Sequence, residues 1–352
     1  AVDAEGFGGH TPLFHAVVDA TTGKKMWRTW LVPGPGEPGH ETWADTWDAW
    51  KTGGGSAWVT GSYDKGLDTL IWGVGNPAPD FDNAYRPGDN LYTNSVLGMN
   101  PDTGKINWYF QYTPNDAWDF DEVGTHLLID ATIDGQPRKA MAHSARNGFY
   151  YFLDRTNGTF INGAVYSKDV NWTPGLDPKT GKPLSYDPAK KVQTYSPGTI
   201  ANNQTPVAKV CPNIGGGNNY FPSAYSPKTG QFYAIGNESC SDIKKTTFEP
   251  GKFKLRDPVG FGNVTWGGRH TASITASSVS TGKSVQRLDY PYANYGGLLS
   301  TAGGILVTGY VDGSFVVHDD TSLDELFTAY LGSPINAPPI TYSVGGKQYL
   351  AI

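Results

Sequence analysis

The stretch "GMNPDTGKINW", residues 98–108, is a hydrophobic run, an Asn-Pro-Asp-Thr-Gly turn and a second run closed by Trp108. This reads as a β-hairpin in which Gly104 supplies positive φ. The same phrase returns as "VVDATTGKKMW" at 17–27, "FLDRTNGTFI" at 152–161, "YSPKTGQFYAI" at 225–235 and "SVSTGKSVQRL" at 278–288. Gly104 and Gly158 lie 54 residues apart, and Gly230 and Gly282 lie 52 apart, the span of a four-stranded propeller blade with a functional loop. Repetition of this kind, with two copies ending in Trp27 and Trp108, predicts radially repeated sheets: a β-propeller.

Composition agrees. With 45 Gly, 25 Pro, 13% aromatic and only 17% charged residues, the chain describes many turns and short strands, an all-β protein. No interdomain linker stands out, so residues 1–352 are expected to form a single domain. A formal charge of -6 with no Lys/Arg run longer than two leaves no electrostatic footprint for nucleic acid. No apolar run approaches the roughly 18 residues of a membrane span, so a soluble protein is expected. Long polar segments at 164–210 and 241–269 read as loops that cover or insert. Cys211 and Cys240 fit either one bridge in an oxidising compartment or two buried thiols.

A second stretch raises a chemical question. "NDAWDFDEV", 115–123, crowds Asp116, Asp119, Asp121 and Glu122 around Trp118 and Phe120. Carboxylates this close repel, and aromatic surroundings raise their pKa values, unless a cation lies among them. In alternating strand geometry Asp119 and Asp121 point the same way and reach one ion. Asp116 and Glu122 are read as surface charges.

Four more stretches accompany it: "WKTGGGSAW" (50–58), "GVGNPAP" (73–79), "ARNG" (145–148) and the two-cysteine segment "VCPN…NESC". Together with "TPNDAWD" (113–119), in this order, they resemble the quinoprotein alcohol dehydrogenases, methanol and ethanol dehydrogenases that use pyrroloquinoline quinone (PQQ). The likeness runs from about residue 15 to the last residue. It implies an eight-bladed propeller, here incomplete and lacking its N-terminal blades, so that the sequence is expected to be partial.

The resemblance also implies roles. Trp58 matches the tryptophan on which the quinone stacks, and Ser56 a hydroxyl near it. Asn76 matches a metal ligand, Asp119 the catalytic carboxylate, Arg146 the arginine donating to the quinone oxygens, and Asn237 a polar cofactor contact. Tyr295 lies where a tryptophan is common. Glu5, in "DAEGFGGH", fills the place of a glutamate ligand. Asp121 matches the additional aspartate of lanthanide-dependent members, and a hard trivalent ion favours a further oxygen ligand; calcium is the alternative. Cys211 and Cys240 match a family disulfide, which implies the periplasm. The implied reaction oxidises an alcohol by hydride transfer to PQQ. No "CxxCH" occurs in the chain, so electrons are expected to pass to an external cytochrome c-type acceptor. A homodimer is left open as an assembly. The rival readings are a binding-only scaffold propeller and a carbohydrate-active hydrolase.

Overall fold

The structure is a computed structural model and describes residues 14–52, 54–252 and 263–352. Its described elements are antiparallel sheets joined by loops and three short 3-10 turns. A hairpin of Phe14–Val18 and Lys25–Trp30 comes first. A four-stranded sheet follows, Ser62–Asp64, Thr69–Val74, Ser95–Met99 and Ile106–Gln111. The next is Leu127–Ile133, Gln136–Ser144, Phe149–Asp154 and Phe160–Val165. In a larger sheet Ala208–Val210 and Ala224–Ser226 both pair with the long strand Gln231–Lys244, which pairs in turn with Asn263–Ser278, and that with Lys283–Tyr290. Leu298–Ser300, Ile305–Gly309, Ser314–Asp319 and Glu325–Tyr330 form another four-stranded sheet. The hairpin Ile340–Val344 with Lys347–Ala351 comes last. This is the all-β, blade-like meander that the repeated hairpins predict.

The turn phrase does two jobs. Locally, the side chain of Asp19, Asn100 or Asp319 accepts the N–H groups two and three residues on, an Asx-type closure. Gly23, Gly104 and Gly158 then take φ of 68°, 71° and 75°. Between sheets, the residue four beyond one turn glycine lies on the turn glycine of a later sheet. Trp27 donates from Nε1 to Pro101 O at 2.7 Å and covers Gly104, where a Cβ would sit 2.3 Å from the indole. Trp108 covers Gly158 at 2.7 Å, and Asn162 takes the same place over Gly282 at 2.3 Å. Leu323 makes the turn at φ 59° without a glycine and is itself buried; burial of its side chain offsets the left-handed backbone.

Two expectations are corrected. Gly230 and Gly282 lie in two hairpin turns of one and the same sheet, so their spacing is not a blade repeat. The segment 241–269 is no plain loop: Ser241–Lys244 pair with Asn263–Trp266 as an extension of the long hairpin, because strand pairing satisfies backbone groups that a loop would leave to solvent. Cys211 and Cys240 form a disulfide, Cα–Cα 4.4 Å, tying the 211 segment to the strand Gln231–Lys244.

The docked glycines make a matched test. Gly23→Ala, where a Cβ meets nothing within 4 Å, should cost only the left-handed penalty, about 1 kcal/mol. Gly104→Ala adds overpacking against Trp27 and should cost about 3 kcal/mol. Urea denaturation of the two variants measures the difference.

Candidate functional site

The stretch 115–123 folds as a loop, not as a strand. Trp118 and Phe120 are wholly buried and pack with Trp172; Trp118 also meets Tyr195 and donates from Nε1 to Thr199 O at 2.6 Å. Burying these two rings draws in the acids beside them. Asp119 takes φ 65°, so the alternating strand geometry expected of Asp119 and Asp121 is replaced by a tight bend in which Asp121 N donates to Asp119 O at 3.0 Å. Both carboxylates nevertheless reach one cation. Arg146, itself buried, places Nη1 3.3 Å from Asp119 Oδ2 and Nη2 3.0 Å from Asp121 Oδ2.

Asp121 is the centre of the arrangement. Its Oδ2 also accepts from Trp58 Nε1 at 2.9 Å, and its Oδ1 from the backbone N–H of Asn76 at 2.6 Å. Three segments far apart in sequence therefore meet on one carboxylate. Gly75 permits this approach, since a Cβ there would sit 2.3 Å from Asp121 Oδ1 and 2.5 Å from Ser56 Oγ. Trp58 is held by its N–H but remains 44% exposed, which leaves indole face for a flat ligand. Tyr220 stands edge-on to it at 6.2 Å. Arg146 Nε is buried with no hydrogen-bond partner among the described residues, and Gly216 makes room for that side chain.

Asp116 and Glu122 are not surface charges; both are fully buried. Asp116 accepts from the N–H groups of Trp118 and Phe120, each at 3.2 Å, and so shapes the bend. Glu122 Oε2 accepts from Arg146 N at 3.2 Å and lies 2.9 Å from His143 Nε2. His143 Nδ1 faces Thr125 O at 3.3 Å, and its ring stacks on His126 at 4.0 Å. Both nitrogens of His143 thus face oxygens. Burial pushes Glu122 well up and His143 down to about 4. The arrangement consistent with both is a protonated Glu122 donating to Nε2, with the Nδ1–H of a neutral His143 donating to Thr125 O.

The sequence reading also missed Asp80. It is buried, hydrogen-bonded to the Asn76 side chain, and pushed up to about 8 by burial, with the charge of Asp121 adding to the shift. Burial likewise holds Asp119 well above the usual carboxylate range, against the pull of Arg146. The donors are hard oxygens and outnumber the local cations, Arg86 and Arg146, which suits a multivalent ion. Among the described residues no three acid, imidazole or thiol side chains are already gathered closely enough to hold one. Arg146 holds the two aspartates in that role.

Comparison with known proteins shows what this chain is similar to. Residues 16–172 match the PQQ family described as "Glucose/ethanol/alcohol dehydrogenase, beta-propeller domain". Quinoprotein alcohol dehydrogenase PedH of Pseudomonas putida is 36% identical over 90% of this chain and 52% of its own length. The lanthanide-dependent methanol dehydrogenase of Methylorubrum extorquens is 33% identical over 95% of this chain and 58% of its own. The solved structure of a europium-containing methanol dehydrogenase superimposes with a TM-score of 0.83 at 29% identity, over 97% of this chain and 62% of that one. Along nearly its whole length the chain is similar to quinoprotein alcohol dehydrogenases, and residues 16–172 match the family's β-propeller domain. It spans about half the length of the curated relatives it matches.

Within this quinoprotein frame the remaining expected residues are placed unequally. Asn237 is buried and commits both ends of its amide to Asn294, donating to its O at 2.9 Å and accepting from its N at 2.8 Å. These bonds brace the loop 294–297. Tyr295 stacks on Phe221 at 5.1 Å, and Phe221 touches Tyr220, so Tyr295 is two rings removed from Tyr220's contact with Trp58. Glu5 lies outside the described residues.

The buried acids set a pH dependence for the metal-free chain. Their raised pKa values mean that the fold binds protons more tightly than the unfolded chain. That stability is complete below the unfolded carboxylate values and is lost as pH rises through about 6 for Asp116 and about 8 for Asp80. The melting temperature should therefore fall between about pH 5 and about pH 8.5, and fall less in Asp80→Asn. A flat or rising profile would contradict the burial of these acids.

Proposed function

We propose that this chain carries the PQQ and metal site of an alcohol dehydrogenase. The observation that carries the reading is the convergence of Trp58, Asn76 and Arg146 on the single carboxylate of Asp121. Bound PQQ would supply the two-electron acceptor, and the ion a Lewis acid. Trp58 offers the stacking floor, with Ser56 beside it, and the unpartnered Nε–H of Arg146 has a hydrogen bond left to give. Asp119, Asp121 and the amide oxygen of Asn76 are the metal donors. The ion would compete with Arg146 for the two aspartates.

Asp119 is the base that takes the hydroxyl proton of the alcohol. Burial raises the pKa of that carboxyl in the metal-free fold, and an adjacent cation favours the ionised form that a base requires. The second carboxylate of this set, Asp121, favours a lanthanide(III) over calcium. Electrons leave to a cytochrome c-type acceptor, and the disulfide fits a periplasmic location. The hydrolase reading loses ground: Asp119 and Asp121 share one arginine on one bend rather than facing each other across a substrate.

The test is reconstitution with PQQ and either La3+ or Ca2+, assayed on a panel of alcohols with an artificial acceptor. Asp121→Ala should impair the lanthanide form by at least the roughly 10–100-fold typical of losing an outer-shell partner, and the calcium form far less. Equal losses would remove the case for a lanthanide. Failure of the wild-type chain to retain PQQ with either ion would reject the reading for this polypeptide.

A further inference from the structure

Among the described residues Arg86 is the bulkiest charged side chain that is wholly buried, yet its donors go to carbonyl and amide oxygens rather than carboxylates. Nε donates to Pro79 O at 3.1 Å, Nη1 to Asn90 Oδ1 at 2.9 Å, and Nη2 to Asp80 O at 3.0 Å and also to Asp116 O. Its own carbonyl accepts from Asn90 Nδ2 at 2.9 Å and from Asn115 Nδ2 at 3.0 Å. Two loops are thereby pinned to one planar group. The first runs on from Asn76 through Pro79 and Asp80. The second enters at Asn115 and Asp116, three residues before Asp119. Burial pulls the Arg86 pKa down to about 10, and the charges of Asp116, Asp80 and Asp82 oppose that shift.

We propose that Arg86 is a positioning residue of the metal and quinone site, setting the separation between the loop that carries Asn76 and the loop that carries Asp119 and Asp121. The inference rests on the metal reading above. A guanidinium is suited to the task because its fixed fork holds several acceptors at set angles in one plane. Lysine keeps the charge and loses the fork, so the two loops lose their common template while the electrostatics are retained.

Arg155 provides an internal control. It too is buried and bonds carbonyl groups, donating to Ile129 O at 2.8 Å and Ala140 O at 3.0 Å, but it pairs with Asp64 and Asp130, and none of these partners belongs to either loop.

The experiment titrates Tb3+ into the chain and reads tryptophan-sensitised luminescence well below the melting temperature of every variant. Wild type should bind. Arg86→Lys should bind roughly 10–100-fold more weakly, the usual cost of removing an outer-shell partner, whereas Arg155→Lys should bind as wild type even where its melting temperature drops. Asn90→Gly removes the Nη1 acceptor at a position whose φ is 60° and should weaken binding in the same direction by a smaller factor; it carries the test if Arg86→Lys does not fold. Unchanged affinity in the Arg86 or Asn90 variants, or an equal loss in Arg155→Lys, would overturn the positioning role. Absence of Tb3+ binding by the wild-type chain would instead overturn the metal reading, and this inference with it.

Discussion

The carboxylate of Asp121 is the constraint on which the site depends. An ionisable group this deeply placed is tolerated only when its lone pairs are filled, and here an indole N–H, a backbone N–H and a guanidinium fill them. Because those donors come from three separate segments, satisfying one side chain fixes the relative positions of the stacking surface, the amide ligand and the arginine. The neighbouring acids are buried for a related reason: Trp118 and Phe120 belong to the core, and a short loop cannot insert two aromatic rings without carrying its flanking carboxylates inward.

The framework around the site comes from a repeated contact of modest size. A turn glycine with positive φ offers a surface without a side chain, and the residue four beyond the corresponding glycine of a preceding sheet covers it. Tryptophan is used at Trp27 and Trp108, whose large apolar faces cover the turn, with the Trp27 N–H also donating to Pro101 O, and Asn162 shows that the geometry survives a change of residue. The loops that carry the chemistry leave the ends of strands placed by these docks: Asn76 follows Thr69–Val74, and Arg146 follows Gln136–Ser144.

Much of this was legible in the chain. The hairpin phrase carries its own turn chemistry, so the all-β architecture follows from local rules, and ordered motifs pointed to Trp58, Asn76, Asp119, Asp121 and Arg146. What the phrase could not tell was which hairpins belong to one sheet, as Gly230 and Gly282 show. Nor could it reveal Leu323, where a turn of the same shape lacks the glycine that marks the others.

By itself the sequence determined the strand-turn alphabet and the identity of the site's chemical groups, since both depend on residue type and short spacing. Only the tertiary structure decided that Asp80, Asp116 and Glu122 are buried, that Asn237 braces a loop, and that Arg86 joins two others. The reason is physical: desolvation and hydrogen-bond satisfaction are set by neighbours tens of residues away, such as Thr199 above Trp118 or His143 beside Glu122, and no local pattern encodes them.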